Sequence, residues 1–393
     1  MKKILAIVLA LCLALSLAAC GGGASSAPAA STPAASTPAA SAPADAGGAG
    51  ADLSGLNVGV FYYNYGDTYI ASVRTALDAA LDAKGVTYQD YDGNNNQATQ
   101  NDAIQTALTN GTNLLVVNLV NSGSPDAAKA IMDMAGDVPV IFFNRAVDTE
   151  DDPDATLKSS DKIGFIGTDA PEAGHLQGQM IGEYLLAHYD EVDLNGDGVI
   201  SYAMFKGDEA NVEAIYRTQY GQEDADKVLT DAGKPALAYF DPNNSSKYQV
   251  DQGGAWSAAA ALDYMNTNLS QYNDANSNMI ELVICNNDGM AEGVISALNG
   301  VGYNTGDDKS IPVFGVDATD AAKLLISEGK MTGTVKQDAE GMANAIANTV
   351  EGIGTGSSVT DAIAAAAAVN TEMYSIAEGV ANKLYVAYAP YMG

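Results

Sequence analysis

Short apolar runs alternate with stretches of helical spacing along this chain, and this alternation restricts the fold more than any other feature. The apolar runs predict strands at 57–63, 114–120, 139–144, 162–168, 200–207, 281–287, 311–317 and 333–338. The segments between them have helical periodicity, at 68–84, 97–109, 125–136, 172–189, 211–232, 255–269, 288–299, 319–328 and 339–353. Strands that are apolar on both faces and separated by helices are typical of parallel sheets with helices on both sides.

The N-terminus has the composition of a bacterial export signal. Lys2 and Lys3 precede an apolar run from Ile4 to Leu17, too short to span a membrane, and Leu-Ala-Ala-Cys then ends at Cys20. This ending resembles a lipobox, which implies cleavage before Cys20 and attachment of lipid to its sulfur. We therefore expect an extracytoplasmic protein anchored to the cell membrane. A plain secretory signal with an incidental cysteine is the alternative.

The next segment, residues 21–51, consists almost entirely of Gly, Ala, Ser and Pro. Such a composition cannot bury a core, so it predicts a disordered tether. About 340 residues remain, which is more than a single hydrophobic core usually organises. We therefore expect an α/β protein made of two doubly wound parallel-sheet lobes.

Charge and cysteine content exclude several classes of protein. The chain carries 49 acidic against 18 basic residues, a formal net charge of −31, which disfavours nucleic acids and anionic membrane surfaces as partners. Cys12 lies in the signal and Cys20 is the expected lipid site, so Cys285 has no partner for a disulfide. We expect Cys285 to pack as a small apolar residue. No segment after the signal has the length of a membrane span.

Polar residues recur where the predicted strands end: Asn118, Asn144, Asn287, Asp317 and Asp338. In open parallel sheets, ligands bind beyond the carboxyl ends of the strands. Any one of these residues could instead cap the following helix. Five of them across two lobes indicate a cleft lined with amides and carboxylates, which suits a neutral polyhydroxyl ligand.

Two aromatic residues are candidates for stacking on a sugar ring. Trp256 is the only tryptophan and lies among Gly, Ala and Ser at the start of a predicted helix, where few bulky neighbours could enclose it. Tyr69, two residues beyond Asp67, could supply the opposite face of the cleft. A purely structural role is the alternative for each ring.

A nine-residue segment, DLNGDGVIS, has the spacing of a calcium-binding loop. Asp193, Asn195 and Asp197 occupy its first, third and fifth positions, a glycine follows, and the carbonyl of Val199 can point inward. Position 12 is Met204 rather than a bidentate Glu, and the residues after the loop predict a strand. An EF-hand is therefore not expected, and a closing carboxylate has to come from elsewhere. A solvated turn is the alternative.

Taken together, these features resemble the bacterial D-galactose/D-glucose-binding proteins of the sugar ABC-transporter class, which have a type I periplasmic-binding-protein fold. The segments that carry the similarity are VGVFYYNYGDTY, VVNLV, PVIFFN, GFIGTD, DLNGDGVISYAMFKG, ELVICNND, IPVFGVDA and GTVKQDA. The resemblance implies a first lobe of residues 52–145 and 338–376 and a second of 146–337 and 377–393. A hinge of several crossovers, near 144–147, 336–339 and 375–378, would join them.

The resemblance also implies which side chains contact the sugar: Asp67, Asn118, Arg217, Trp256, Asn287 and Asp317. At four further positions the chain departs from the family. Asn211 and Glu213 stand where His and Asp are usual, Gln337 replaces Asn, and Tyr69 replaces the stacking Phe. These departures leave galactose, glucose, a related aldose or a β-galactoside open as the ligand.

A structural calcium ion is implied by the same resemblance. Its ligands would be Asp193, Asn195, Asp197, the carbonyl of Val199, Ser201 and Glu281. Glu281 would be the distant bidentate ligand that the loop lacks. Ser201 is shorter than the usual Gln or Glu, which leaves direct and water-mediated contact both open.

The implied function is high-affinity binding of a hexose-type monosaccharide and its delivery, by a monomer, to an ABC permease and its ATPase. A sensor that presents the closed state to a chemoreceptor or histidine kinase is an alternative. A carbohydrate-active enzyme is a third, but the only histidines, His175 and His188, are expected on helix surfaces, and no nucleophile elbow occurs. A transcription regulator with these lobes would need a basic DNA-reading helix.

Overall fold

The computed structural model describes residues 51–306 and 309–393. The export signal, Cys20 and nearly all of the tether lie outside the described residues. Two mostly parallel sheets form the framework, each with helices packed on both faces. This architecture confirms the predicted pair of doubly wound α/β lobes. Within the described ranges, no helix is both long and apolar enough to cross a bilayer.

The strands, in chain order, are β1 (Asn57–Tyr62), β2 (Thr87–Asp92), β3 (Leu114–Val117), β4 (Val140–Phe143), β5 (Ile163–Gly167), β6 (Ser201–Lys206), β7 (Ala238–Tyr239), β8 (Gln249–Val250), β9 (Leu282–Cys285), β10 (Val313–Asp317), β11 (Gly333–Gln337), β12 (Tyr374–Ile376), β13 (Lys383–Val386) and β14 (Tyr388–Tyr391). The helices are α1 (Thr68–Lys84), α2 (Gln97–Thr109), α3 (Pro125–Ala135), α4 (Ala155–Lys158), α5 (Ala170–Val192), α6 (Val212–Asp231), α7 (Ala258–Gln271), α8 (Asp288–Gly300), α9 (Asp320–Ser327), α10 (Ala339–Gly354) and α11 (Val359–Ala368).

The first sheet has the strand order β12-β13-β5-β4-β3-β1-β2, and only the β12–β13 pair is antiparallel. Alternate residues of the central strands point to opposite faces. Val60 and Ile141 pack under α1, α10 and α11, whereas Phe61 and Leu115 pack under α2 and α3. Burial on both faces explains why these strands are continuous apolar runs in the sequence.

The second sheet has the order β14-β11-β10-β9-β6-β7, with β8 also paired to β6. Helices α5 and α6 cover one face, and α7, α8 and α9 cover the other. Cys285 lies at the end of β9 and is fully buried as a free thiol, as its apolar context predicts.

The chain passes between the lobes three times: at 168–169 after β5, at Asp338 after β11, and at Ala387 after β13. The crossing near 336–339 agrees with the prediction. The predicted boundaries at 145/146 and 376/377 were wrong. The edge of β4 needs hydrogen-bond partners and β5 supplies them, so the first lobe continues beyond residue 145. Strand β13 then pairs with β5, so the first lobe also continues beyond residue 376. The first lobe therefore comprises 52–168 and 338–387, and the second comprises 169–337 and 388–393.

Every predicted strand and helix is present, but several elements have no clear sequence signal. Strand β2 reads Thr-Tyr-Gln-Asp-Tyr-Asp and lies at the exposed edge of its sheet, where polar residues are tolerated. The other elements that were missed are α4, α11 and the short strands β7, β8, β12, β13 and β14.

Close contact between α7 and α8 generates a test of this packing. A Cβ added at Gly293, inside α8, would lie 2.0 Å from the carbonyl oxygen of Ala258. Because backbone atoms cannot yield as a side chain can, we expect Gly293→Ala to lower the free energy of unfolding by about 1–3 kcal/mol. Gly300→Ala, in the same helix but with open space around it, should change it by less than about 0.5 kcal/mol. Urea denaturation measures both, and equal effects would contradict the packing.

Candidate functional site

The carboxyl ends of the two sheets face each other across a cleft with about 360 Å³ of space not occupied by protein. Both lobes contribute to its walls. The lining residues are Tyr63, Asp67, Tyr69, Ile70, Asn144, Arg145, Asn211, Glu213, Arg217, Trp256, Asn287, Asp317 and Gln337. All of the predicted sugar contacts except Asn118 belong to this set.

Three of the polar residues in the cleft cap the helix that follows them. Asp67, Asn211 and Asn287 accept hydrogen bonds from the backbone N–H three residues on, at 2.8, 3.0 and 2.9 Å. For Asn287 the sequence left capping and ligand contact as alternatives, and in the structure it caps α8 while also lining the cleft. Since one oxygen of each side chain is fixed by its helix, the other polar atom is held in a defined direction without a ligand.

Tyr63 and Arg145 are lining residues that the sequence analysis missed. The Tyr63 hydroxyl donates to Asp67 at 2.6 Å, and the guanidinium of Arg145 lies 4.0 Å above the Tyr63 ring. Arg145 directly follows Asn144 at the end of a predicted strand, so its position gave a signal that could have been used. The second tyrosine of the FYY segment gave none, because it resembles a continuation of the strand.

Arg217 connects several elements of the second lobe at the floor of the cleft. Its guanidinium donates to the carbonyl of Asn286 at 2.9 Å, to Gln337 at 3.1 Å and to the hydroxyl of Tyr388 at 3.1 Å. Asp317 lies 4.0 Å away. Arg217 is only 4% exposed, so these contacts replace the water that it would otherwise bind.

Four buried polar atoms of the lining have no hydrogen-bond partner among the described residues. They are Arg145 Nε, Arg217 Nε, Glu213 Oε2 and Asp317 Oδ2. Burial raises the pKa of both carboxyl groups, an effect that the nearby Arg217 opposes. Two donors and two acceptors without partners therefore belong to residues that line the same small cleft.

The cleft also contains a closely packed tryptophan and three residues with positive φ angles. Trp256 is 8% exposed, and its indole lies so close to Gly207 that a Cβ there would approach within 2.1 Å, so only glycine fits. Asn144, Trp256 and Asp317 have positive φ angles of 62°, 56° and 132°. Such conformations are unfavourable for residues other than glycine and cluster at binding sites.

Asn118 does not line the cleft, in contrast to its predicted role. It is fully buried, accepts from the N–H of Tyr63 at 3.2 Å, and donates to the carbonyl of Phe143 and to Asn144, both at 3.1 Å. Every polar atom of its side chain is therefore used within the first lobe. Its role is to join the ends of three strands and hold Tyr63 and Asn144 in place.

The two lobes are in contact across the cleft. Arg145 in the first lobe pairs with Asp208 in the second at 3.3 Å. Asn95 donates to the carbonyl of Gly253 at 2.7 Å across the same boundary. The structure therefore represents a closed arrangement of the lobes.

The predicted calcium loop has its polar side chains folded back over its own backbone. Asp193 accepts from the N–H groups of Asp197 and Gly198 at 3.1 and 2.9 Å, and Asn195 accepts from that of Asp197 at 2.8 Å. Glu281, which is fully buried, spans the loop by accepting from the N–H groups of Asn195 and Ser201, both at 3.0 Å. The distant glutamate is therefore located where the resemblance implied.

Ser201 is bound within the fold on both of its oxygens. Its hydroxyl donates to the carbonyl of Met279, and its own carbonyl accepts from the N–H of Glu281, so both oxygens are engaged in joining β6 to the segment before β9. In the described part of the chain, no three Cys, His, Asp or Glu side chains are close enough to ligate one ion together. Burial raises the pKa of Glu281, and the carboxylates of Asp193 and Asp197 add to this rise. A cation is the partner that would relieve this repulsion.

Comparison with protein families gives a match over most of the folded part. Residues 58–358 match the family described as "Periplasmic binding protein domain". The D-galactose/methyl-galactoside binding periplasmic protein MglB of Haemophilus influenzae is 32% identical over 312 residues, which cover 77% of this chain and 83% of that protein.

Solved structures show the same fold at lower sequence identity. A solute-binding protein of an ABC transporter from Clostridium phytofermentans, with bound β-D-glucose, is 20% identical and covers 86% of this chain and 94% of its own, with a TM-score of 0.64. A Bacillus halodurans solute-binding protein with bound myo-inositol is 21% identical with the same coverage and a TM-score of 0.61. These similarities support the fold.

The position of Asn118 leads to a test that separates structural from ligand-binding roles. We expect Asn118→Ala to lower the free energy of unfolding by about 2–4 kcal/mol, because it leaves buried backbone groups unpaired. Asn121→Ala, at an exposed position nearby, should change it by less than about 0.5 kcal/mol. Urea denaturation of both variants provides the measurement. A stable Asn118→Ala protein that has lost only ligand affinity would show instead that Asn118 contacts the ligand directly.

Proposed function

Because the chain belongs to the periplasmic binding protein family, we propose that it binds an uncharged monosaccharide between its lobes and delivers it to an ABC sugar permease. Proteins of this family bind solutes and are not enzymes. The family also indicates an extracytoplasmic location, in agreement with the export signal. The ligand class follows from the chemistry of the cleft.

The observation that carries the proposal is the set of four unpartnered atoms in the lining. Arg145 and Arg217 each offer a buried N–H donor, and Glu213 and Asp317 each offer a buried acceptor. A sugar hydroxyl both donates and accepts, so a ring with several hydroxyls can satisfy all four at once. Leaving such groups unpaired in a buried site is unfavourable by about 1–3 kcal/mol each, which gives a polyhydroxyl ligand a large advantage.

Charge pairing within the site favours a neutral ligand. Arg145 is balanced by Asp208, and Arg217 is balanced by Asp317. Asp67 and Glu213 add negative charge to the lining. An anionic sugar would be repelled by these carboxylates, whereas an uncharged one has no such penalty. A galactose- or glucose-type hexose is the ligand that we propose, in keeping with the relative that is named for D-galactose.

Delivery requires that the closed form remain near the permease. We propose that lipid on Cys20 anchors the protein and that residues 21–51 tether the lobes above the membrane, as the composition of this segment suggests. Closure brings both lobes into one rigid surface for a permease to recognise. A monomer suffices, since each chain contains a complete cleft.

Sugar binding can be measured directly with the single tryptophan, which lines the cleft. We expect a fragment beginning at residue 52 to respond to at least one hexose at micromolar concentrations or lower, corresponding to about −8 kcal/mol. Asp317→Asn should weaken binding at least about tenfold, because it replaces one carboxyl oxygen of the lining with an amide nitrogen that cannot accept a hydrogen bond.

Asp320→Asn is the matched control, since Asp320 is fully exposed a few residues away. Its affinity should equal that of the parent. If no aldose in a broad panel changes Trp256 fluorescence or releases heat in calorimetry, the proposed ligand class is wrong.

We further propose that the loop after α5 binds a structural calcium ion. The side chains of Asp193, Asn195 and Asp197 and the carbonyl of Val199 would hold it, with Glu281 as the fifth protein group. Binding would require Asp193 and Asp197 to leave their hydrogen bonds to the loop backbone and turn towards the ion. Oxygen ligands of this type suit a hard divalent cation, and no ion pair involves Asp193, Asp197 or Glu281 in the described residues. Bound calcium would join the loop to the segment before β9.

Calcium should therefore raise thermal stability. We expect the melting temperature of the parent to fall in a chelator and recover with excess calcium, because a ligand bound only by the folded state adds RT ln(1 + [L]/Kd) to its stability. Asp197→Ala should abolish the response. Asp190→Ala, at an exposed position shortly before the loop, should retain it. An Asp197→Ala protein that responds to calcium like the parent would refute this site.

A further inference from the structure

A second cavity lies beside the sugar cleft, with about 650 Å³ of space not occupied by protein. It is also formed between the lobes. Leu157, Phe165 and Tyr385 come from the first lobe, and Val212 and Tyr216 come from the second. Closure of the lobes therefore assembles both cavities in the same movement.

The two cavities meet at one residue, Glu213. The first two turns of α6 form the partition between them: Arg217 lines the sugar cleft, Tyr216 lines the second cavity, and Glu213 lines both. Glu213 is 5% exposed and its Oε2 atom has no hydrogen-bond partner among the described residues. The unpaired oxygen of Glu213 is therefore an acceptor at the boundary between the two cavities.

The walls of the second cavity suit a sugar or aryl ring better than a small ion. Phe165, Tyr216 and Tyr385 line it, and the Lys383 ammonium lies over the Phe165 and Tyr385 rings at 5.7 and 5.1 Å from their centroids, which leaves Tyr216 as the ring for stacking. Asp169 offers a carboxyl group, and burial raises its pKa, which favours the form that can donate to a hydroxyl. The Lys383 ammonium is already paired with Asp154 at 2.9 Å, so it is not a free site for an anion.

A row of stacked rings continues from this cavity along the protein surface. The Tyr216 ring is nearly parallel to that of Tyr220, with centroids 5.7 Å apart, and Tyr220 stacks on His175 at 3.9 Å. His175 also pairs with Asp224. Contact with Tyr220 therefore helps to hold the Tyr216 ring at the wall of the cavity.

We propose that this second cavity is a subsite for the group linked to the sugar, so that the preferred ligand is a glycoside or disaccharide rather than the free hexose. This inference rests on the proposed function, because the first ring has to occupy the cleft. The linked group would pass Glu213, whose free oxygen accepts from a hydroxyl beside the glycosidic bond. It would then lie against Tyr216, where its apolar face replaces water on the ring.

The test compares each of several hexoses with its methyl and phenyl glycosides, in both anomers, and with the corresponding disaccharides, by calorimetry on the fragment from residue 52. We expect at least one phenyl glycoside or disaccharide to bind about tenfold more tightly than its parent hexose, a gain of the size that one well-placed aromatic contact provides. The methyl glycoside, too short to reach Tyr216, should show little of this gain.

Tyr216→Ala should remove the gain while leaving hexose affinity within about twofold, since its side chain does not line the sugar cleft. Tyr216→Phe keeps the ring and should keep the gain, and thermal melting checks that both variants are folded. Hexoses that bind tightly while every glycoside binds more weakly would overturn the subsite, as would a gain that survives Tyr216→Ala. If neither hexoses nor glycosides bind, the proposed function itself fails, and the subsite fails with it.

Discussion

The guanidinium of Arg217 is the interaction on which most of the cleft depends. It reaches from α6 to the end of β9 through Asn286, to the end of β11 through Gln337, and to β14 through Tyr388. Two of these partners lie next to places where the chain passes between the lobes. A buried positive charge is stable only with such a set of acceptors, so the position of α6, the strand ends and the crossings are determined together. The Nε of the same group has no partner among the described residues.

The fold could be predicted from the sequence because its signals are local. Strands such as Leu114–Val117 and Val140–Phe143 are buried on both faces and are therefore continuous apolar runs. The boundaries between the lobes have no local sequence signal of this kind. Nothing in Ile163–Gly167 tells which sheet it joins, since both sheets would accept an apolar parallel strand, and the choice is made by pairing with β4. The polar edge strand Thr87–Asp92 was missed because exposure removes the pattern on which prediction relies.

The candidate site was predictable where a polar residue follows a strand, because in a parallel sheet those positions all lie at one edge. This rule located Asn287 and Asp317 correctly, but it cannot tell which way a side chain turns. Asn118 obeys the rule and turns inward to bond Tyr63 and Phe143. Arg145 was missed although it follows the same kind of strand. Its contact across the cleft depends on Asp208, which is 63 residues away in the sequence. The contacts of Ser201 are likewise set by a distant segment, at Met279.

Arg145 lines the cleft and has one nitrogen on Asp208 in the opposite lobe, while its Nε has no partner among the described residues. Under the proposed function, ligand recognition and closure of the cleft therefore depend on the same side chain and cannot be adjusted separately. A substitution that changes the contacts of this arginine will also change the lifetime of the closed form. The time for which a bound ligand is retained before its release will change with it. Selection for a different ligand through substitution of Arg145 would therefore change the rate of ligand release as much as the ligand preference.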